Sequence, residues 1–582
     1  MSTEIRRRAQ SSGLEPMGDL HPVLKRVYGG RGICRAEELD LSLERLLPVG
    51  TLEGVERAAE ILAAHRESGR VLVVGDFDAD GATGSALLVR AMRSLGFAHV
   101  DFLVPNRFQF GYGLTPGIVA LAAQRRPSLI VTVDNGVSSI EGVEAAHVLG
   151  IPVLITDHHL PGATLPSADA IVNPNLAGSR FASPALSGVG VAFYVVAALA
   201  RAVRQPAFRP ADLLDLVALG TVADLVPLDR NNRVLVAQGL RRIRAGRCVP
   251  GIRALLELAG RRPDRLTAAD LGFVVAPRLN AAGRLSDMSV GIACLLTDDE
   301  VRARALAAEL TRLNEERREI EQRMQAEATE LAASVRFDES GDETLGLCLF
   351  DDSWHQGVVG LVAGRVKDRF HRPVVAFARA GDGSLRGSAR SVAGIHIRDV
   401  LDTIAARHPG LIEKFGGHAM AAGMTLPESS LDGFRRAFAE EIAARADADT
   451  LAGVILSDGE LSNTELSLET AHVLRGAGPW GQGFAEPLFD GRFKIADLRV
   501  VGGRHLKLRL RSAELVAPAL GAEIGAGSGA PLDAIAFGYV GGASQDPALE
   551  AGVTVDLAYR LEVNEYNGAE QLQLNCQHFK IR

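Results

Sequence analysis

Aspartates and histidines gather where three apolar runs of the chain end. The run Val71–Gly75 opens into Asp76, Asp78 and Asp80, the run Leu129–Val133 into Asp134, and the run Val153–Thr156 into Asp157, His158 and His159. Asp224, in GTVADLVP after an apolar helical run, could add a fourth contribution. Any one aspartate after a strand can serve only as a helix cap or turn former, and either histidine alone can be a surface or core residue. The spacing Asp76-x-Asp78-x-Asp80 is harder to explain so, because three acids this close repel unless a cation lies among them. Hydrolytic phosphoryl transfer needs a hydroxide nucleophile, a clamp on the non-bridging oxygens and help for the leaving oxygen, and two divalent ions about 3.5–4 Å apart supply all three. Holding two such ions takes several anionic oxygens, and an imidazole shifts preference from magnesium towards manganese. Asp78, Asp80, Asp134, Asp224 and His158 are about the right inventory for Mn2+ or Mg2+; stoichiometry and bridging stay open.

To deliver these groups to one place the runs must be strands of one parallel sheet, whose carboxyl ends share an edge where ligands bind. The sequence supports this: short β-branched runs at 71–78, 100–105, 129–136 and 151–159, with 171–174 a candidate fifth, alternate with helical stretches. Residues 1–70 read as a helical preamble, including Glu38–Leu47, and 175–295 as mainly helical. From 296 to 335 no Pro or Gly occurs, and Leu306, Leu310, Leu313, Ile320, Met324 and Leu331 recur near a seven-residue spacing, which predicts a long amphipathic helix, either a strut between domains or an ordinary helix packed against one core. A second α/β region begins at LGLCLF (345–350), and beyond about 455 short alternating stretches predict an antiparallel barrel or sandwich. The expected fold class is α/β: a parallel-sheet domain (1–295), a connecting helix (296–335), a second α/β domain (336–450) and a C-terminal β-barrel (451–582).

At 582 residues the chain can hold several cores. Its five cysteines are scattered without paired spacing, which argues against a zinc cluster or a disulfide framework and fits a reducing compartment. The N-terminus has a basic run with no apolar stretch behind it, and apolar runs such as 189–200 are too short to span a bilayer. A cytoplasmic location without membrane attachment is expected. The net charge of −8 does not exclude a nucleic-acid partner, since binding depends on where charges sit and acids gathered around metals do not repel a phosphate once those metals are bound.

The same segments form a known signature. GDFDADGATG (75–84), VDNG (133–136), TDHH (156–159) and TVADLVP (221–227) resemble, in their usual order, the motifs of the DHH phosphoesterase superfamily. VPNRFQFGYGL (104–114), PRLNAAGRL (277–285), GVVGLVAGR (357–365), GSARS (387–391), FGGHAMAAGM (415–424) and PWGQGFAEPLF (479–489) are similar to segments of one family within it, the bacterial RecJ exonucleases. The resemblance covers nearly everything from about residue 30 onwards. It implies that Asp78, Asp80, Asp134, His158 and Asp224 bind two divalent ions. It places Asp76, Asp157 and His159 in or beside that shell, as ligands, orienting neighbours or acid–base partners. The implied reaction is processive 5′→3′ hydrolysis of single-stranded DNA to 5′-mononucleotides by metal-assisted water attack, in DNA repair and recombination. Implied partners are a single-strand-binding protein and a helicase, with the chain itself a monomer.

Candidate DNA contacts follow from the same segments. Gly416 and Gly417 let backbone N–H groups approach a phosphate that His418 can also reach. Ser388, Arg386 and Arg390 offer donors to phosphate oxygens. Arg278, Asn280, Arg284 and Arg107 resemble family residues near a cleft, although an ion-pair or surface role is open for each arginine. Trp354 with His355 can form a stacking and donor pair beside the DNA path, or Trp354 can be core. The last domain resembles an oligonucleotide-binding (OB) barrel, and in HLKLRLRS alternation puts Lys507, Arg509 and Arg511 on one face as a backbone track or a solvated strand face. Aromatic residues are few there, so electrostatics and a steep salt dependence are expected. Two rivals are a small-substrate relative acting on dinucleotides or pyrophosphate, which needs neither strut nor third domain, and a non-catalytic DNA-binding scaffold, against which the full acid and histidine set speaks.

Overall fold

The computed structural model describes residues 3–10, 19–105, 112–334, 345–381, 383–447, 451, 453–512, 531–539, 549–566 and 568–582. Strand β1 (Glu4–Arg7) opens the chain, and five parallel strands follow: β2 (Arg70–Gly75), β3 (His99–Leu103), β4 (Leu129–Val133), β5 (Val153–Thr156) and β6 (Ala170–Val172). They form one sheet in the order β3-β2-β4-β5-β6, so the candidate fifth strand is real and β2, β4 and β5 are adjacent. Alternate residues explain why these runs are apolar throughout. Val71, Val73, Val131 and Leu154 enter one core, whereas Leu72, Val74, Ile130 and Ile155 enter the core on the opposite face. Each such side chain contributes roughly 1.5–3 kcal/mol by leaving water.

The preamble departs from expectation at Glu38–Leu47. Short 3-10 turns at Ala36–Leu39 and Leu43–Arg45 replace a helix there. Asp40 Oδ1 accepts from the Ser42 N–H at 3.0 Å, a local bond that competes with helix, and Pro48 follows directly.

The long helix spans Glu300–Ser334. Its first half buries Ala303, Ala307, Leu310 and Leu313 in the first domain's core, and its second half buries Met324, Ala328 and Ala332 in the second domain's. Between them the helix turns polar. Asn314, Arg317 and Glu321 are buried, Arg317 pairs with Glu321 and donates to Asn314 Oδ1, and Arg365 of the second domain reaches Glu321 at 3.1 Å. The strut is therefore fixed to both bodies.

The second domain holds β7 (Leu347–Phe350), β8 (Val374–Ala380), β9 (Ser384–Arg390), β10 (Lys414–Gly417) and β11 (Ala421–Pro427), in the order β10-β11-β9-β8-β7. Strand β12 (Val454–Ser457) then pairs in parallel with β1, tying the N-terminus to the start of the last domain. That domain is a closed barrel, β13-β14-β15-β17-β16, built from Phe489–Val501, His505–Ser512, Leu532–Ala536, Ala569–Ile581 and Thr554–Tyr566 respectively.

Candidate metal centre

Adjacent strands deliver the acids to one edge. Asp78 caps the helix Ala79–Ser94, its Oδ1 accepting from the N–H groups of Asp80 at 2.9 Å and Gly81 at 3.0 Å. The capping role is thus real, and it coexists with a place in a cluster with Asp76 and Asp134 whose ligand atoms all lie within 4.8 Å of one another. Asp80 is clasped from the other side, because the helix Gly188–Val203 points its first N–H groups at the carboxylate: Gly188 donates to Oδ2 at 2.6 Å and Val189 to Oδ1 at 2.9 Å. Position 188 must be glycine for this approach, since an added Cβ would sit 2.6 Å from the Asp134 Cβ. Asp224 arrives at the C-terminal end of the helix Leu214–Ala223.

Two further sets, Asp80–His158–Asp224 and Asp134–His158–His159, also bring their ligand atoms within 4.8 Å. His158 Nε2 lies 3.0 Å from Asp134 Oδ1 and 3.5 Å from Asp224 Oδ2, and neither Nε2 nor Asp134 Oδ1 meets hydrogen-bond geometry with a partner among the described residues. The convergence of these buried atoms with the Asp224 carboxylate fits a cation placed among them. The overlap of three sets through shared residues fits neighbouring ions better than one.

The electrostatics agree. Burial, reinforced by the Asp78 charge, holds Asp80 up to about 7. Burial and the Asp80 charge raise Asp134 well above the ordinary carboxylate range, and the same two causes raise Asp224. Left to itself the cluster limits its charge by keeping protons, and a divalent cation among these carboxylates would supply the counter-charge that lets them ionise. The two histidines separate. Burial and the neighbouring His159 push His158 down to about 3, leaving a neutral imidazole with a lone pair to offer. Burial is the largest single influence on His159 and opposes its charge, but the hydrogen bond to Asp157 together with the charges of Asp157, Asp76 and Asp78 raises that imidazole.

Asp157 is committed elsewhere. Its Oδ1 accepts from the N–H of His158 at 2.8 Å, the N–H of His159 at 3.1 Å and His159 Nδ1 at 2.8 Å, and its Oδ2 accepts from the Val137 N–H at 2.9 Å. Among the alternatives open for Asp157, this geometry supports the orienting one: it aims the histidine pair.

The second domain faces this edge. The His418 ring stacks over His159 with centroids 6.1 Å apart, and Gly417 adopts φ 146, where a Cβ would lie 2.4 Å from the Ala421 carbonyl oxygen. Gly416, Gly423 and Ser388 stand in register on three neighbouring strands, with open space at both glycines, which leaves a surface a phosphate could approach. Arg390 lies beside Ser388, and a Cβ on Gly360 would come within 2.9 Å of its Nη2. Arg386 is exposed and donates to Thr425 Oγ1 at 2.9 Å.

Other sequence candidates are engaged within the protein. Trp354 is buried in the second domain's core and donates to Glu327 Oε2 at 3.0 Å, so it is not available for base stacking. Arg278 is largely buried, with Nη1 on the Val274 carbonyl at 2.5 Å and Nε on Thr311 of the strut at 3.3 Å, which fixes the guanidinium where the strut meets the first domain. Asn280 Oδ1 accepts from the Ala79 N–H at 2.8 Å and steadies the helix start that Asp78 caps. Arg284 donates to Gly357 O at 3.0 Å, joining the two α/β domains. Arg107 lies outside the described residues. On β14, Leu506, Leu508 and Leu510 are buried while Arg509 and Arg511 are exposed and Lys507 is half-buried. Lys494 and Arg499 of β13 pair in register with Arg511 and Lys507, which broadens the basic face.

Two residues escaped the sequence reading. Gly188 carried a signal in the Ser187-Gly188 pair opening a helix. Tyr112 lay within a matched segment but offered no metal-ligating chemistry; its hydroxyl donates to the Asp134 carbonyl oxygen at 3.1 Å.

A sheet edge carrying this cluster, faced by a second α/β domain, defines a divalent-metal phosphoesterase of the DHH type. Three family profiles match in chain order: the DHH family N-terminal domain at residues 70–221, the DHHA1 domain at 343–444 and the RecJ OB domain at 457–578. The chain is 52% identical to the single-stranded-DNA-specific exonucleases RecJ of Salmonella typhimurium and Escherichia coli, in each case over 98% of both chains. The crystal structure of RecJ in complex with Mn2+ from Thermus thermophilus matches with a TM-score of 0.79 and 30% identity, covering 99% of this chain and 79% of that one. A Mg2+ complex from the same organism matches with a TM-score of 0.73 and 29% identity, covering 99% of this chain and 78% of that one. The chain belongs to the RecJ family of single-stranded-DNA-specific exonucleases, enzymes of the DHH phosphoesterase superfamily that use a divalent metal cofactor. Among the described residues no helix is long and apolar enough to cross a membrane.

Proposed function

We propose that this chain removes 5′-mononucleotides processively from the 5′ end of single-stranded DNA, using two Mn2+ or Mg2+ ions held by Asp78, Asp80, Asp134, His158 and Asp224. The observation that carries this reading is the convergence of His158 Nε2 on Asp134 Oδ1 at 3.0 Å and on Asp224 Oδ2 at 3.5 Å, inside a buried anionic cluster. Bound metals supply a nucleophile at neutral pH and charge stabilisation on both sides of an in-line displacement. The chain's own residues do the rest. Asp157 fixes the orientation of the histidine pair. His159, beside His418, offers an N–H donor towards a phosphate between the domains, with Ser388, Arg390 and the backbone at Gly416 and Gly417 holding the strand. The barrel's Lys507, Arg509 and Arg511 track the backbone further along. Asp76 sits close enough to Asp78 and Asp134 to be a ligand of the same centre.

The division at 1–295, 296–335, 336–450 and 451–582 is proposed as the functional one: chemistry, strut, strand positioning and strand tracking. A monomer acting in the cytoplasm in DNA repair and recombination, with a single-strand-binding protein and a helicase, completes the reading. Its support is the family likeness.

The test is a time course of mononucleotide release from long single-stranded DNA labelled at either end, with Mn2+, beside an Asp78→Ala/Asp80→Ala double variant. Early release of the 5′-terminal nucleotide, absent in the variant, is expected. No release by folded, metal-loaded protein would refute the reading and direct attention to dinucleotides and pyrophosphate.

A further inference from the structure

Asp134 is held in a conformation it would not choose. Its φ of 62 lies in the left-handed region, which a non-glycine residue adopts at a cost and keeps where its surroundings over-determine it. The surroundings can be named. The Asp134 N–H donates to the Thr156 carbonyl at 3.0 Å, which ties the residue to β5. The next residue, Asn135, donates from Nδ2 to the carbonyls of Val74 at 3.1 Å and Val133 at 2.9 Å, closing the turn against β2. Gly188 packs on the Asp134 side chain from the opposite direction. The remaining polar group of the peptide, the Asp134 carbonyl, accepts from the Tyr112 hydroxyl at 3.1 Å.

Tyr112 is well placed to act as a latch. Its ring packs edge-on against Phe77, 6.2 Å away between β2's end and Asp78, and edge-on against His159 at 5.6 Å. The hydroxyl also lies 3.2 Å from His159 Nδ1. One side chain thus touches the backbone of one candidate ligand, the ring of a second and the segment bearing a third. Although 48% of the residue is exposed, its hydroxyl is turned inward to Asp134.

We propose that Tyr112 is a positioning residue of the metal centre: its hydroxyl holds the strained Asp134 peptide so that the carboxylate meets His158, and it thereby sets metal affinity rather than DNA affinity. The proposal rests on the reading of Asp134 as a ligand. Loss of an outer hydrogen bond of this kind typically weakens metal binding 10–100-fold. A role as a stacking surface for a base would instead need the ring and not the hydroxyl.

Two substitutions in the full chain separate these. Tyr112→Phe keeps the ring and removes the hydroxyl; Tyr112→Leu removes both. Mn2+ binding is measured without DNA by electron paramagnetic resonance, and kcat and KM for single-stranded DNA are measured across a Mn2+ series. The expected result is that both variants bind Mn2+ about tenfold or more weakly, that Tyr112→Phe leaves KM for DNA unchanged, and that saturating Mn2+ restores its kcat. Wild-type Mn2+ affinity in Tyr112→Phe would overturn the proposal, as would a raised KM for DNA with unaltered metal binding. Should Tyr112→Phe melt far below the wild type, the Mn2+ affinity of its still-folded fraction at low temperature decides in the same way. Wild-type Mn2+ binding and 5′ release, read in parallel, keep a failure of this proposal distinct from a failure of the functional reading.

Discussion

Gly188→Ala asks whether the cluster's geometry is set by the approach of a helix. Alanine is the better helix former by about 1 kcal/mol, so the helix Gly188–Val203 gains from the change in isolation. In place it does not, because the new Cβ falls 2.6 Å from the Asp134 Cβ and 2.7 Å from Oδ1. To reach the 3.4 Å of ordinary contact, either the helix start or the aspartate must retreat by about 0.8 Å. Metal sites tolerate ligand displacements of about 0.2 Å, and misplacements near 1 Å cost on the order of 10²-fold in rate. Retreat of the helix is no remedy, since the Gly188 N–H holds Asp80 at 2.6 Å. Gly188→Ala is therefore expected to weaken Mn2+ binding at least about tenfold and to slow mononucleotide release about 10²-fold, with a melting temperature near wild type in the absence of metal. Calorimetric Mn2+ titration and release from 5′-labelled single-stranded DNA read the two effects. A folded variant with wild-type Mn2+ affinity and rate would refute the assignment of Asp134 and Asp80 to the centre.

Three further outcomes are expected. Asp80, held up to about 7, keeps its proton in the fold where the unfolded chain has lost it, so its stabilising contribution is fully present below about 3.8 and lost as pH rises through about 7. Metal-free protein should thus lose on the order of 4 kcal/mol across that window, with Asp134 and Asp224 acting in the same direction, while stabilisation by Mn2+ grows; a flat metal-free melting profile would count against the cluster. On the barrel, neutralising Lys507, Arg509 and Arg511 together in the Asp78→Ala/Asp80→Ala background should lower the slope of log Kd against log salt by about 2 in magnitude, at about 0.7 per phosphate contact on single strands. An unchanged slope by fluorescence anisotropy would remove that face from the DNA track. Asp458→Ala strips the partner from Arg31, bonded at 2.7 Å with both side chains almost fully buried, and should cost about 3–5 kcal/mol by denaturant melting without altering Mn2+ affinity; a loss below about 1 kcal/mol would show the pair to be dispensable.

The anionic centre was legible because its signal is local. Asp76, Asp78, Asp80, Asp134, Asp157 and the histidines each follow an apolar run directly, and parallel strands can only bring such ends to one edge. The alternation Lys507-Leu508-Arg509-Leu510-Arg511 was legible for the same reason, as strand period decides which face each residue takes. Single aromatic and cationic residues were not. Trp354 reads equally as stacking platform or core, and what places it in the core is Glu327, a strut residue 27 positions away that accepts its indole N–H. For Arg278 the sequence likewise does not show that folding brings the carbonyl of Val274 and the hydroxyl of Thr311 to it. The helix expected at Glu38–Leu47 fails through the Asp40–Ser42 bond, a competition that apolar spacing does not register.

How the domains are held together was the least legible feature, and it bears on function. The proposed metal ligands all belong to the first domain, but His418, the candidate phosphate donor beside His159, comes from the second. The 6.1 Å between their rings depends on contacts scattered through the chain: Arg284 on the Gly357 carbonyl, and the buried Arg317–Glu321 pair on the strut, which exposed Arg365 of the second domain joins. The barrel is fastened independently, by β1 pairing with β12 and by Asp458 receiving both Arg31 and the Leu488 N–H. A buried ion pair gains little over an apolar contact but penalises every arrangement that leaves one charge alone. Such pairs therefore suit joints whose register matters more than their strength. On this argument the strut and the Arg31–Asp458 joint fix the register of three bodies about one centre, the arrangement that the proposed path of a strand from the second domain to the metal centre and onto the barrel requires.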